Sequence, residues 1–349
     1  MFVSVVIVSY NGREYFPDLF NSLKLQTLRP SQIIVVDNGS TDGSQEFLSK
    51  FKVQGLEFRV IFSNKNTGFA EGNNQGTEEA LKASPDYIFL LNQDTIVDKN
   101  CLKELVGFAE KNKSENFFAL QPLILCWPEK DRIQTSGDRI HFLGFGYSGD
   151  YKLQVTSYKL QIKEIPYASG AAMFIDARAL NEVGLFDKDL FLYHDDLDLC
   201  LRARFLGYKI FLAPRAIVYH KYKAGLSPHR WYWSERNRLI TLIKFYKLPT
   251  LILIFLPWLI MELGVLVYSL LTGWFWLKIK SYFSNFWQLP KTLWKRRKIQ
   301  GSRKITDREL IEYLEAKFDF AGLEYPLLKY LVNPILGLTW QILKRLIFW

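Results

Sequence analysis

The sequence predicts an α/β domain of alternating βα units, followed by a helical, membrane-associated C-terminal region. Three observations predict it. Short apolar runs alternate with helical patterns through roughly the first 115 residues, each run closes in a polar loop, and a long apolar stretch opens near residue 248. The expected division is one domain over residues 1–240, with halves 1–115 and 116–240, and a helical region over 241–349.

The elements follow in order. Val3 to Val8 is a β-branched run of the kind buried on both faces of a parallel sheet. Phe16, Leu19, Phe20 and Leu23 recur at helical spacing. Ile33 to Val36 is a second strand, stopped by Asp37-Asn38-Gly39-Ser40; Phe58 to Phe62 and Tyr87 to Leu91 are the third and fourth. Polar loops at the C-terminal ends of such strands are where open parallel sheets bind ligands. From 116 to about 225 the pattern is mixed, with a strand near Tyr167 to Ile175 and a helix near Leu197 to Leu206.

Beyond residue 240 the composition shifts. Between Leu248 and Leu277 the only charge is Glu262, a length sufficient to cross a hydrocarbon core of roughly 30 Å as a helix. Pro257 and Glu262 interrupt it, and Lys244, Lys247, Lys278 and Lys280 flank both ends, which fits a bent or re-entrant insertion better than a simple positive-inside crossing. A buried helix pair is the alternative. Tyr325 to Trp349 reads as a second interfacial helix.

The net charge of +10 selects no partner by itself, but its placement does. Lys291, Lys295, Arg296, Arg297, Lys298, Arg303 and Lys304 crowd one stretch after the apolar one, suiting an anionic membrane surface and not a nucleic-acid groove. Cys101, Cys126 and Cys200 have no metal or disulfide spacing and fit a reducing compartment. The chain opens directly into a strand, with no basic region ahead of an apolar one, so no cleaved signal is expected and the first domain is expected in the cytoplasm, at the membrane's inner face.

Five stretches can carry chemistry, and each has a plainer reading. Asp37 to Ser44 can hydrogen-bond a base or ribose, or be a turn with Asp42 or Ser44 as a cap. Asn64 to Asn74 holds Gly68, Ala70 and Gly72, which allow a helix N-terminus to approach a phosphate, or form an ordinary Asn/Gly loop. Asn92-Gln93-Asp94 ends a strand in an acid, as a hard cation requires or as many turns do. Asp195, Asp196 and Asp198 crowd three carboxylates into four positions, for a general base or for helix capping with an Asp198–Arg202 pair. His220 closes an apolar strand, as a metal ligand or a structural histidine.

In this order and at these intervals, the five stretches resemble the family 2 glycosyltransferases of GT-A fold, and more narrowly their bacterial rhamnosyltransferase-like branch. The resemblance spans residues 2 to 245 and implies a Rossmann-like mixed sheet, a nucleotide-binding half, an acceptor half and an inverting transfer of a sugar to an acceptor hydroxyl. By it, Val6, Val8, Ser9, Tyr10, Asn11, Asp37, Asn38 and Gly39 face the nucleotide, as do Asn66, Gly68, Asn73, Asn92 and Gln93. Asp94 and His220, the latter followed by Gly225 and Ser227, hold Mg²⁺ or Mn²⁺. Asp196 is the catalytic base, and Ser169, Gly170, Ala171, Asp195 and Arg236 line the sugar and acceptor site.

The resemblance further implies a dTDP- or UDP-sugar donor, rhamnose first, and a lipid-linked or polysaccharide acceptor in cell-surface glycan synthesis. Membrane is an expected partner, nucleic acid is not, and a homo-oligomer stays open. Three residues depart from the family pattern: Asn92 for the first Asp of its DxD motif, Asp195 for Glu, and Asp176 for Arg. A processive polysaccharide synthase shares the N-terminal motifs but wants Gln where Ser227 precedes Arg230-Trp231, and several membrane helices. A non-catalytic nucleotide-sugar-binding scaffold is the reading of another class.

Overall fold

The computed structural model describes residues 1–52, 55–155, 161–222, 228–318 and 326–349; the positions of Gly225 and Ser227 lie outside these. In chain order the strands and helices of the first half are β1 Val3–Ser9, α1 Phe16–Lys24, β2 Gln32–Asp37, α2 Ser44–Lys50, β3 Glu57–Phe62, α3 Phe69–Leu81, β4 Tyr87–Asn92, β5 Thr95–Val97 and α4 Cys101–Lys111. Then come β6 Phe117–Cys126, β7 Ile133–Thr135, β8 Asp138–His141, β9 Gly146–Ser148, β10 Lys163–Glu164, β11 Ala172–Asp176, α5 Ala177–Val183, α6 Asp195–Phe205 and β12 Lys209–His220. The chain ends in α7 Pro228–Phe245, α8 Leu248–Leu253, α9 Phe255–Leu271, α10 Phe275–Ser302, α11 Asp307–Leu310, β13 Leu314–Glu315 and α12 Asn333–Leu346.

The main sheet runs β10-β12-β6-β11-β4-β1-β2-β3. Its β3-β2-β1-β4 part is parallel throughout, and β11 enters antiparallel against β4 and β6. The sheet is therefore mixed, as the resemblance to the GT-A fold implies. Strands β1, β2 and β4 are apolar along nearly their whole length because helices cover both faces. One core lies under α3, α6 and the C-terminal elements; the other lies under α1, α2 and α4.

The C-terminal part returns to the first domain. β13 pairs in parallel with β8 in a small second sheet, and Trp340 of α12 stacks on Phe142 with centroids 4.7 Å apart. The expected boundary at 240 falls inside α7, whose buried face carries Glu235 to Arg238 into the core.

The apolar stretch 248–277 does not form one continuous helix. Pro257 has no N–H to give the Leu253 carbonyl, and its ring crowds that carbonyl, so α8 stops and α9 begins afresh at Phe255. Gly273, at φ +81°, separates α9 from α10. No described helix is long and apolar enough to cross a membrane. Lys244 and Lys278, expected to flank a membrane insertion, are instead buried in ion pairs. Part of the basic stretch is likewise engaged internally: Lys295 with Asp187 and Asp189, Lys291 with Asp189, and Arg296 on the Ile243 and Tyr246 carbonyls.

Candidate active site

Parallel register fixes where β1, β2 and β4 stop. Ser9 is opposite Asp37, and Val8 is opposite Asn92, so the three strand ends share one edge. Asp37 is fully buried; its Oδ1 accepts from the Ser40 amide at 3.0 Å and from Gln45 Nε2 at 2.9 Å. Its Oδ2 has no partner among the described residues. A buried carboxylate oxygen left over at a ligand-binding edge is an acceptor for a ligand's hydroxyl or N–H. Tyr10 stands half exposed beside it, and Asn11 accepts from the Thr41 amide at 2.9 Å while its own amide donates to Ser40 Oγ.

Several residues expected at the nucleotide have other partners. Gln93 Oε1 accepts from Ser9 Oγ at 2.7 Å and the Tyr10 amide at 2.9 Å, and its Nε2 donates to the Tyr10 carbonyl. Asn38 Oδ1 accepts from the amide and hydroxyl of Thr67, both at 2.9 Å. Its Nδ2 donates to Asn66 Oδ1 and the Gly68 carbonyl, while Asn73 donates to the Phe69 carbonyl. Gly39 lies against the Lys65 backbone. These side chains build the loops that frame the edge, because a buried turn must satisfy its own polar atoms.

The N-terminus of α3 is also occupied. The Phe69 and Ala70 amides point at the Phe191 carbonyl, at 2.7 and 3.4 Å. Gly68 has φ +91°, and a Cβ there would lie 2.5 Å from the Phe191 ring and carbonyl. A Cβ on Gly72 would lie 2.7 Å from Val8. The small residues thus bring helix, strand and Phe191 together; they do not open the helix end to a phosphate.

Asp94 and His220 do meet. His220, on β12, is opposite Thr95 of β5, and Nε2 lies 2.9 Å from Asp94 Oδ1. The other ring nitrogen, Nδ1, lies 2.9 Å from Gln134 Oε1. With that oxygen as acceptor Nδ1 carries its proton, and the ring is held with Nε2 aimed at Asp94, as an outer partner orients a metal-ligating histidine. Burial alone would raise the Asp94 carboxyl, but the hydrogen bond and charge of His220 hold it below the ordinary value. Among the described residues no group of three or more His, Cys, Asp or Glu could hold a metal. One carboxylate and one imidazole suit a hard divalent cation that takes its remaining ligands from water and a diphosphate.

The acids gather at the start of α6. The preceding loop holds Phe191, Tyr193 and His194 at positive φ, a costly conformation that packing must impose. Asp196 Oδ2 accepts from the Gly170 amide at 2.9 Å, and Oδ1 from the Leu197 amide at 2.8 Å. Asp195 is 3% exposed, with Oδ2 unpartnered among the described residues. Asp198 is held by Arg202 at 2.9 Å, as its spacing predicts, and by Lys244, which makes it structural. Ser169 gives its amide to Gln121 at 2.8 Å, and the Ala171 carbonyl accepts from the Asn92 amide at 3.0 Å. The floor expected for the acceptor is therefore tied to the strand end expected for the donor.

Sequence reasoning passed over Asp138. It is buried at the start of β8, bonded to Thr135 Oγ1 and in hydrogen-bond contact with Ser169. Burial, reinforced by the charge of Asp196, pushes it up to about 8. Burial and the Asp196 charge lift Asp195 well above the carboxylate range. Burial raises Asp196 too, but the Gly170 and Leu197 amides act against it. The pair thus separates into a proton-holding Asp195 and an ionisable Asp196, the division of labour that acid–base sites use. The only signal for Asp138 in the sequence is a turn, Ser136-Gly137, before a short strand.

Arg236, expected at the sugar site, is a brace. Its guanidinium bonds Ser284 and Gln288 of α10, the Asp189 carbonyl and Asn237 Oδ1, and lies over the Trp233 ring. Burial with these partners fixes α7 to α10 and leaves it little to offer a diphosphate.

Comparison with known proteins places this arrangement. The profile of glycosyl transferase family 2 matches residues 4–146, and that of glycosyl transferase family group 2 matches residues 87–289. A low-salt glycan biosynthesis hexosyltransferase of Haloferax volcanii is 23% identical over 206 residues, 58% of this chain and 61% of that one. The O-antigen chain rhamnosyltransferase RfbN of Salmonella typhimurium is 25% identical over 227 residues, 64% of this chain and 67% of that one. The chain thus spans about two thirds of the length of these relatives. In fold, it matches GalNAc-T7 crystallised with UDP, GalNAc and Mn²⁺, at TM-score 0.56 and 18% identity over 70% of this chain and 48% of that one. It also matches Staphylococcus aureus TarS 1-349 in complex with UDP, at TM-score 0.50 and 18% identity over 99% and 90% of the two chains.

Proposed function

Because the chain belongs to glycosyl transferase family 2, with a GT-A-like mixed α/β fold, we propose that it is an inverting glycosyltransferase of glycan synthesis. It moves a sugar from a nucleoside diphosphate to a hydroxyl of a lipid-linked or polysaccharide acceptor. Rhamnose from dTDP-rhamnose is the first candidate, supported by the likeness to the O-antigen enzyme, and a UDP-sugar is the second. We place the reaction at the cytoplasmic face of a membrane, where the three free thiols stay reduced.

The observation that carries this reading is the seating of Asp196. Its carboxylate is held by the Gly170 amide one residue from Ala171, whose carbonyl is bonded to the strand end at Asn92. A base so fixed can take the acceptor's proton as that oxygen attacks the anomeric carbon, and a single base opposite the leaving group gives inversion. Burial and the Asp196 charge raise the Asp195 carboxyl, which disfavours a second charge beside the base. Asp37 offers its free Oδ2 to the nucleoside, with Tyr10 and Asn11 beside it. Asp94 and His220 are the residues that would hold Mg²⁺ or Mn²⁺. Such a cation supplies Lewis-acid stabilisation of a departing diphosphate.

The test is binding of dTDP, UDP, GDP and ADP to the purified chain by calorimetry, with and without Mn²⁺ or Mg²⁺. Metal-dependent binding of dTDP or UDP, lost in Asp94→Ala, is expected. Failure of every nucleotide under both conditions sinks the donor site.

A further inference from the structure

The C-terminal helices are inside out. On α9 the outward stripe is Leu256, Ile260, Leu263 and Val267, each more than half exposed, whereas its two buried residues are Glu262 and Ser269. On α10 the buried residues are Lys278, Ser281 and Thr292, and the exposed ones include Trp276, Phe283, Trp287 and Trp294. Most of the exposed large apolar side chains among the described residues follow residue 247. A helix in water turns its apolar stripe inward. These two turn it outward, and patches of that extent mark an interaction surface.

From this geometry we infer that α9 and α10 seat the chain on one leaflet of an anionic lipid bilayer, in the plane of the interface, without crossing it. Three observations choose lipid over a second protein copy and a monotopic seat over a span. First, cations accompany the aromatics. Lys298 lies over the Trp294 ring at 3.8 Å, Lys280 lies over Tyr232, and Arg297 and Lys304 are exposed at and just past the C-terminal end of α10. Trp and Lys together belong at the headgroup level, where a ring and an aliphatic stem sit in apolar surroundings and the charge stays wet.

Second, α9 is 17 residues long, about 25 Å at 1.5 Å per residue, which falls short of a hydrocarbon core of roughly 30 Å. Third, its inner face is anchored. Glu262 bonds Arg238 of α7, Lys278 of α10 and Tyr282, and Glu235 joins the same cluster. Turning α9 across a bilayer would pull Glu262 from two cations into hydrocarbon, where a lone charge is strongly disfavoured. The cluster therefore keeps the charged face on the protein and the apolar face outward. Exposed Ile335, Leu338 and Ile342 on α12, with Arg345 near its end, extend the same character.

The proposal goes beyond sugar transfer and does not depend on it. Its test is flotation of the full chain with phosphatidylcholine vesicles, with and without phosphatidylglycerol, together with tryptophan quenching by lipids brominated at shallow or deep positions. The double variant Ile260→Glu, Leu263→Glu changes only exposed side chains, and unchanged circular dichroism and nucleotide binding would show that the domain is intact. Binding to the anionic vesicles, at least tenfold weaker in the variant, with stronger quenching from the shallow position, is the expected result. No binding to either vesicle overturns the proposal. Stronger quenching from the deep position replaces the monotopic seat with an insertion. A lipid-free dimer that the variant dissociates, without vesicle binding, assigns the surface to a second copy and overturns the lipid assignment.

Discussion

Asp196 accepts a hydrogen bond from the Gly170 amide at 2.9 Å, and the same carboxylate accepts from its neighbour's amide at Leu197. Two backbone donors stabilise the ionised form against the burial that raises it. The carboxylate is thereby fixed in position. Asp196→Asn keeps the shape and removes the base. Turnover is expected to fall roughly 10²–10⁴-fold, the range general-base catalysis contributes, with donor affinity within about twofold by calorimetry. A variant that retains near-normal turnover would remove Asp196 from the chemistry.

Gly170 itself carries the second prediction. A Cβ there would lie 3.0 and 3.1 Å from Phe69 ring atoms and 3.5 Å from Asp196 Cβ. Gly170→Ala must displace the ring or the floor by a few tenths of an ångström. Misplacement on the order of 1 Å costs about 10² in rate, so a loss on the order of tenfold in kcat is expected, with donor affinity unchanged. Steady-state kinetics with the donor panel checks it; a change in donor affinity alone would place Gly170 on the donor side.

Strand ends and the acid cluster are legible in the sequence because each is written locally, whereas the Asp94–His220 meeting, across 126 positions, is implied only by the family resemblance. What each side chain then bonds to is not local. Gln93 reaches back to Ser9 across 84 positions, and Asn38 reaches forward to Thr67 across 29. Both therefore resemble ligand groups in the sequence and serve as framing in the fold. Asp138 shows the converse: it stands alone in the sequence and acquires its environment only when β8 is brought beside Ser169 and Asp196. In the same way Lys244 and Lys278 flank an apolar run in the sequence, yet tertiary pairing takes them inside.

Asp138 has a consequence for stability. Its folded value, about 8, lies above the ordinary carboxylate value near 4. The folded state therefore holds a proton the unfolded state releases, and stability falls as pH rises from about 4 to about 8, levelling above that. Asp138→Asn is neutral at every pH. Its stability relative to the parent chain is expected to improve steadily across that window, measured by urea denaturation at several pH values. Parallel curves for the two proteins would show that Asp138 does not carry the buried proton.

The buried cluster under α9 makes the last prediction. Lys278 and Arg238 are both fully buried and share Glu235 and Glu262. Lys278→Met matches the length of the stem but strips one cation from two buried carboxylates. Breaking such a pair from one side costs about 3–5 kcal/mol, because the charge left behind stays desolvated. The expected loss at neutral pH is of that order by chemical denaturation. The acid limb reports on the same contacts. Burial alone would raise Glu235, but Arg238 and Lys278 hold it down to about 2. A depressed carboxylate contributes stability that is present above its unfolded value, near 4.3, and is lost as pH falls through about 2. The parent chain is therefore expected to lose stability between pH 4.5 and 2, and Lys278→Met to show a shallower slope there, since part of what acid removes is already gone. An unchanged slope would mean that Arg238 alone holds the two glutamates, and that Lys278 sits in the cluster without contributing to its acid response.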